Sequence, residues 1–365
     1  MAILVVSFDA VGDKAFEKMT ETYPNLAKFK EDSFYQGGVE TIFISNTYPI
    51  HTTVSTGKLP KDHGIVCNLL DKNEKGQRPW AQEAKLIQSK TLWDAAKEKG
   101  LKTAALLWPV TCGAKIDFHL PEVHILEGQK QAIQNLKYGS KLFQINALRK
   151  HGKLMQGIDQ PHLDNFTTAV AVDMLKKHKS DLVLIHLIAY DDIAHRVGLD
   201  GARLEEAKAA LNENLGKLLD AWDDTVLVFS DHSQLNVKET VNLSKAYPGQ
   251  FDHQGGSCFT NTLLPGIENR SWFERFLTNQ EMEESGWNKK YKYGIAAKAG
   301  YTFSLDEKKG DHGYPLDYGD YHTFYAINKN IDDYKDKLKG KITDVTAIVA
   351  KELDLDMDIL KEYDL

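Results

Sequence analysis

The chain is poor in cysteine and has no long apolar run, and each scarcity excludes a class of protein. Cys67, Cys112 and Cys258 are odd in number, far apart and include no CxxC pair, so neither a disulfide framework nor a thiolate zinc site is expected. No apolar run reaches the roughly 20 residues of a membrane span, and the first apparent core strand already begins at Ile3, leaving no room for a cleaved leader. Basic stripes with interleaved aromatics are also missing. With 45 basic against 52 acidic residues and a net charge of -7, a nucleic-acid duplex is not the expected partner. These absences predict a soluble, cytoplasmic chain without membrane contact. Its 365 residues suffice for an ample core without staples.

What is present is a set of apolar runs that end in aspartate. Ile3 to Phe8 runs into Asp9, Leu182 to Ile188 leads to Asp191, and Val226 to Ser230 runs into Asp231. Short runs rich in Val and Ile read as buried strands of a parallel sheet, whose ligands bind beyond the strands' carboxyl ends. A helix is expected from Thr91 as cap to Gly100, then a strand over Thr103 to Trp108. Helical periodicity recurs over Thr167 to Lys177, Arg203 to Trp222 and Thr343 to Leu353. Alternating helices and strands predict an α/β fold: a doubly wound, mostly parallel central sheet flanked by helices. Two stretches break the alternation, near 113–162 and 236–310, and read as small cap insertions in a single catalytic domain spanning 1–365.

Several motifs carry chemistry. Asp191 and His195 are four residues apart, so one helical turn aims both at one point, with Asp192 facing elsewhere. Asp231 and His232 are adjacent at a strand end, where a turning backbone lets both reach one centre. His312 lies between Gly310 and Gly313, in a loop able to carry an imidazole close to a buried site. Thr47 stands at a loop-to-helix entry, where unpaired N–H groups favour an anion; as Thr-x-Pro it also reads as a plain cap. His124, His151, His162 and His178 lie in polar surroundings and read as surface residues.

Ser7-Phe8-Asp9, Asn46 to Thr53, Thr56 to Asn68, Asp191 to His195, Ser230-Asp231-His232 and Asp311 to Tyr314 together resemble the type I phosphodiesterase/nucleotide pyrophosphatase family of the alkaline phosphatase superfamily. The likeness extends from residue 4 to about residue 330. It implies an alkaline-phosphatase-like fold and a metal-dependent hydrolase that cleaves phosphodiester or pyrophosphate bonds of nucleotide-type or related small molecules. It also implies two divalent ions, Zn2+ with Mn2+ as the alternative. Asp191, His195 and His312 would hold one, and Asp9, Thr47, Asp231 and His232 the other. Thr47 would form a covalent phospho-threonine ester. Asn68 would donate to a non-bridging oxygen, Tyr48 would flank the substrate's organic group, and His51 and His63 would take supporting roles.

Departures from the family pattern are Ala10-Val11-Gly12 after Asp9 and Ala194 before His195. No arginine lies between Val39 and Asn68, which argues against a clamp for a phosphate dianion. The alternative is another superfamily hydrolase, a phosphonate hydrolase or a phosphomonoesterase. A sulfatase is not expected, since Thr111-Cys112-Gly113-Ala114 lacks the proline and arginine of the formylglycine pattern.

Overall fold

The computed structural model describes residues 2–157, 159–318 and 321–365. Its centre is a seven-stranded sheet. Six strands are β1 (Ile3–Phe8), β2 (Phe34–Val39), β3 (Thr103–Leu106), β4 (Phe118–Leu120), β5 (Leu182–Leu187) and β6 (Thr225–Ser230). The seventh, Thr323–Ile327, lies between β2 and β6, giving the order β2, Thr323–Ile327, β6, β1, β5, β3, β4. Every pair among β6, β1, β5, β3 and β4 is parallel, and Thr323–Ile327 is antiparallel to both its neighbours. The mostly parallel, doubly wound expectation therefore holds, with one reversed strand that the sequence pattern did not announce.

The two faces of β1 explain its unbroken apolar run. Leu4, Val6 and Phe8 enter one core with helices Asp13–Thr20, His162–Lys177 and Leu204–Leu219; Ile3 and Val5 enter another with Thr47–Thr56, Leu92–Glu98 and Thr343–Glu352. A strand covered on both sides needs apolar residues at every position. Phe8 pairs in register with Leu187 on one side and Ser230 on the other. The carboxyl ends of β1, β5 and β6 are thus flush, and the next residues of β1 and β6 are Asp9 and Asp231.

The stretch 113–162 is not wholly an insertion, because β4 within it forms the edge of the central sheet. The helices Gln131–Tyr138 and Lys141–His151 follow outside the sheet. Residues 236–310 build a separate four-stranded antiparallel sheet, ordered Phe273–Phe276, Tyr293–Ala297, Ser257–Thr260 and Phe251–Gln254, around its own core. Its Gly255-Gly256 turn approaches the His312 loop so closely that a Cβ on Gly255 would lie 2.0 Å from the His312 carbonyl oxygen.

Candidate active site

Asp9, Asp191, His195, Asp231, His232, His312 and Thr47 all converge above the ends of β1, β5 and β6. Asp191 and His195 occupy one helix, Ala189–Val197, with His195 Nε2 3.3 Å from Asp191 Oδ2; His312 Nε2 is 4.0 Å from Asp191 Oδ1. In a second group, His232 Nε2 is 3.4 Å from Asp9 Oδ1, 3.4 Å from Asp231 Oδ2 and 3.4 Å from Thr47 Oγ1. In each group, Asp191/His195/His312 and Asp9/Asp231/His232, one ligand atom per residue falls within 4.8 Å of the others. The two groups adjoin, since the rings of His232 and His312 are 4.2 Å apart.

The donor chemistry fits a divalent cation. Each imidazole gives Nδ1 to a backbone carbonyl: His195 to Gly310 at 2.8 Å, His232 to Ser233 at 3.1 Å and His312 to Ser45 at 2.9 Å. That contact fixes the tautomer that leaves Nε2 as the ligand atom. Asp9 Oδ1 and Asp231 Oδ2 are buried and accept no hydrogen bond, a costly state for carboxylate oxygens without a cation. Asp231 is held in place by its other oxygen, which accepts from the N–H groups of Ala10 at 3.0 Å and His232 at 2.8 Å.

Protonation follows the crowding. Burial, then the charges of Asp231, Asp191 and Glu122, push Asp9 well above the ordinary carboxylate range. Burial opposes ionisation of Asp191, but His195 and then His312 hold its carboxyl far below that range. Burial would lower His195; Asp191 and Asp311 outweigh it and raise the imidazole to about 9. Burial brings His232 to about 4 and, with the neighbouring His232, His312 to about 3, so both are neutral at physiological pH.

Thr47 is the first residue of helix Thr47–Thr56, and Asn46 supplies no side-chain cap. The plain-cap alternative for Thr47 therefore fails, since Asn46 and not Thr47 is the N-cap residue; of the first-turn donors only the Thr47 N–H is left without a partner among the described residues, because the Tyr48 N–H goes to Asn68, Pro49 has none and the Ile50 N–H goes to the Asn46 carbonyl. Asn68 Oδ1 accepts from the Tyr48 N–H at 3.0 Å, while its amide nitrogen has no protein partner among the described residues. His51 Nδ1 donates to the Thr47 carbonyl at 2.9 Å and its Nε2 meets Ser7 Oγ at 2.9 Å, locking the first turn. His63 is more distant, bonding Thr53 Oγ1 at 3.1 Å inside the helix packing.

Tyr48 does not present a face for a ligand. It is 1% exposed, with its ring 5.1 Å from Trp80 and 6.3 Å from His124, and these two half-buried rings take the outward position. His124 is therefore no bland surface residue. Asp192 and Arg196 pair with each other on the exposed side of their helix, as the spacing required. Two side chains escaped the sequence reading. His186, in β5, places Nε2 3.1 Å from Asp9 Oδ2, and Glu122 lies beside His124. A histidine on the buried face of an apolar strand, near its carboxyl end, was the available signal for the first.

The sequence pattern described as Type I phosphodiesterase / nucleotide pyrophosphatase matches residues 3–270. A curated rat relative, ectonucleotide pyrophosphatase/phosphodiesterase family member 3, is 21% identical over 248 residues, which are 63% of this chain and 24% of that protein. The chain thus spans about a quarter of the length of the curated relatives it matches. Murine ectonucleotide pyrophosphatase/phosphodiesterase 5 has a similar structure, with a TM-score of 0.68, 17% identity and full coverage of both chains. An inactive variant of that mouse protein is known in complex with AMP. The phosphonoacetate hydrolase of Sinorhizobium meliloti 1021, in complex with phosphonoformate, also has a TM-score of 0.68, at 15% identity over 96% of this chain and 95% of that one. These neighbours give the fold as alkaline-phosphatase-like.

Proposed function

The chain belongs to the type I phosphodiesterase/nucleotide pyrophosphatase family, and from that premise we propose that it hydrolyses small phosphodiesters or pyrophosphates through a phospho-threonine ester on Thr47. The carrying observation is the position of Thr47 Oγ1, 3.4 Å from His232 Nε2 at a helix start beside the Asp9/Asp231/His232 group, whose His232 ring adjoins His312 of the second group. Asp191, His195 and His312 would hold one zinc ion, and Asp9, Asp231, His232 and the Thr47 oxygen the other. When bound, such ions supply Lewis acidity, lowering the proton affinity of a bound oxygen and offsetting charge on phosphate.

The chain's own residues do the rest. Thr47 Oγ1 attacks phosphorus in line, the bond from phosphorus to the departing oxygen breaks, and the alcohol or phosphate leaves. Water then cleaves the phospho-threonine ester and restores the hydroxyl, so configuration at phosphorus is retained. The free amide of Asn68 donates to a non-bridging oxygen, and the Thr47 N–H, the one first-turn donor left without a partner among the described residues, donates beside it. His51 keeps the Thr47 turn rigid, so the nucleophile is poised before substrate arrives.

Substituting Thr47→Ala should abolish turnover of bis(p-nitrophenyl) phosphate while the protein keeps its fold and two zinc equivalents by elemental analysis. Turnover at the unsubstituted rate removes Thr47 as nucleophile. Rates on mono-p-nitrophenyl phosphate and phosphonoacetate, measured alongside, separate a diesterase from a monoesterase or a phosphonate hydrolase.

A further inference from the structure

Apolar side chains left in solvent are concentrated in one stretch of the chain, and such a concentration marks an interaction surface. Of the large ones that the described residues expose, more than half lie between Ile125 and Leu154, with Leu142 at 79% and Ile133 at 59% exposure. Charge is lopsided over the same stretch. From Gly128 to Ile158 there is no aspartate or glutamate, against Lys130, Lys137, Lys141, Arg149, Lys150 and Lys153, in a chain whose net charge is -7. Lys150 pairs with Asp173, whereas none of the other cations meets a carboxylate among the described residues.

Two consecutive helices, Gln131–Tyr138 and Lys141–His151, carry these residues, and their packing decides which side chains turn outward. In the second helix Phe143 packs on the central core, edge-on to Phe118 at 5.8 Å, and Gln144 and Ala147 are buried. Gln144 Nε2 donates to the Asn135 carbonyl at 2.8 Å and ties the two helices together. The opposite face therefore presents Leu142, Ile145 and Arg149, three and four residues apart, with exposed Leu148 and Lys153 close by in sequence. The first helix repeats the mixture, with exposed Lys130, Ile133 and Lys137 at the same spacing.

Leucine and isoleucine mixed with lysine and arginine on one helix face suit a membrane interface, where apolar ends enter the headgroup boundary and cationic tips stay at headgroup level. A protein groove takes a continuous apolar seam, which Arg149 interrupts here. A second copy docked face to face would set these cations against one another. Nucleic acid is held by cations and stacking aromatics, and exposed leucines add nothing to that. We propose that the two helices dock the protein on an anionic lipid surface, held jointly by apolar insertion and by attraction of the unpaired cations to the headgroups. Lying on a bilayer needs no spanning segment, and no described helix is long and apolar enough to cross one. Docking is independent of the chemistry at Thr47.

The test is co-sedimentation of the full chain with sucrose-loaded vesicles, made of phosphatidylcholine alone or with about one third phosphatidylserine. Binding to the anionic vesicles should be tighter by about tenfold or more and should weaken as salt rises. Variants confined to exposed side chains separate the contributions: Leu142→Ser with Ile145→Ser removes apolar insertion, and Lys141→Glu with Arg149→Glu reverses charge. Each should lower the affinity about tenfold or more, while the thermal midpoint and the rate on bis(p-nitrophenyl) phosphate stay at the wild-type level. Loss in one variant alone overturns the joint mechanism, and equal binding to both vesicles, or to neither, overturns the docking surface. Sedimentation equilibrium gives the remaining readout: a wild-type dimer that Leu142→Ser with Ile145→Ser converts to monomer assigns this face to a second copy and overturns lipid docking. Vesicle binding is read without turnover, so failure of the hydrolase reading leaves this result unaffected.

Discussion

The three site histidines share one tautomer-fixing contact but not one protonation state, and that difference is measurable. His232 and His312 are already neutral at pH 7, whereas His195, raised to about 9 by Asp191 and Asp311, carries a proton in the metal-free protein. Loading the Asp191/His195/His312 group at pH 7 must therefore expel that proton. Calorimetric titration with zinc in buffers of different ionisation enthalpy should show about one proton released from His195, a contribution that disappears above pH 9 and is missing in His195→Gln. The sign for stability follows from the same shift. The folded pKa lies above the ordinary 6.5, so the His195–Asp191 attraction stabilises the metal-free protein fully below pH 6.5 and is lost as pH rises through about 9. Thermal midpoints of the chelated protein should fall across that window, and those of His195→Gln should be flatter there. At Asn68 the expectation is kinetic. With Oδ1 committed to the Tyr48 N–H, the substitution Asn68→Ala removes a pre-aimed donor and should lower kcat about 100-fold, the cost typical of one oxyanion donor. An unchanged kcat with a raised KM would instead make the amide a ground-state contact.

Elements differ in how openly the sequence declared them. The runs ending at Asp9, Asp191 and Asp231 were legible because strands buried on both faces need continuous apolar residues. Helix Leu92–Glu98 was legible because Thr91 and Asp94 form its capping box. The Gly255-Gly256 turn signal corresponds to a two-residue hairpin, with Gln254 opposite Ser257 and Gly255 at φ +68°. By contrast Thr323–Ile327 carries no local mark of its reversed direction. Its place is set by pairing with β2 and β6, partners about 290 and 100 residues away, which no local periodicity encodes. The Glu122 cluster was hidden for the same reason, because Trp80, Glu122 and Tyr48 meet only in three dimensions. Ala10 gives physical content to a departure noted in the sequence: it adopts φ +63°, the left-handed region that favours glycine. Gly313 offers a test of how far such an element controls the site. At φ +82°, its added Cβ would lie 2.2 Å from the Gln254 carbonyl oxygen, so Gly313→Ala must displace either the His312 loop or the Phe251–Gln254 strand. Zinc affinity at the Asp191/His195/His312 group should fall about tenfold or more, in line with disturbed ligand positioning. Equal loss at the Asp9/Asp231/His232 group would point to general unfolding.

At the scale of the whole molecule, the site lies where two separately cored parts meet. Asp9, Asp191 and Asp231 follow strands of the central sheet, while His312 arrives on the chain returning from the antiparallel cap. Direct bonds that join the parts near the site include Asn46 Nδ2 to Gln254 Oε1 at 2.9 Å, Ser257 Oγ to the Gly313 carbonyl at 2.8 Å, the Gly313 N–H to Ser45 Oγ at 3.1 Å and His312 Nδ1 to the Ser45 carbonyl at 2.9 Å, and Phe43 and Ile44 share a buried apolar cluster with Phe259 and Trp287 of the cap. A cation held jointly by Asp191, His195 and His312 would add a cross-link between sheet and cap, and ligands that bind only the folded state stabilise by mass action, about 2.7 kcal/mol at a free concentration 100 times Kd. Chelation should therefore lower the thermal midpoint and, more tellingly, loosen the molecule unevenly. Amide hydrogen exchange should accelerate over 251–260 and 310–313, whose attachment depends on His312, while β1 and β5, buried on both faces of the central sheet, keep their protection. Exchange that rises uniformly, or first in β1, would mean that the metal groups brace the sheet alone, and the joint role given to His312 would have to be withdrawn.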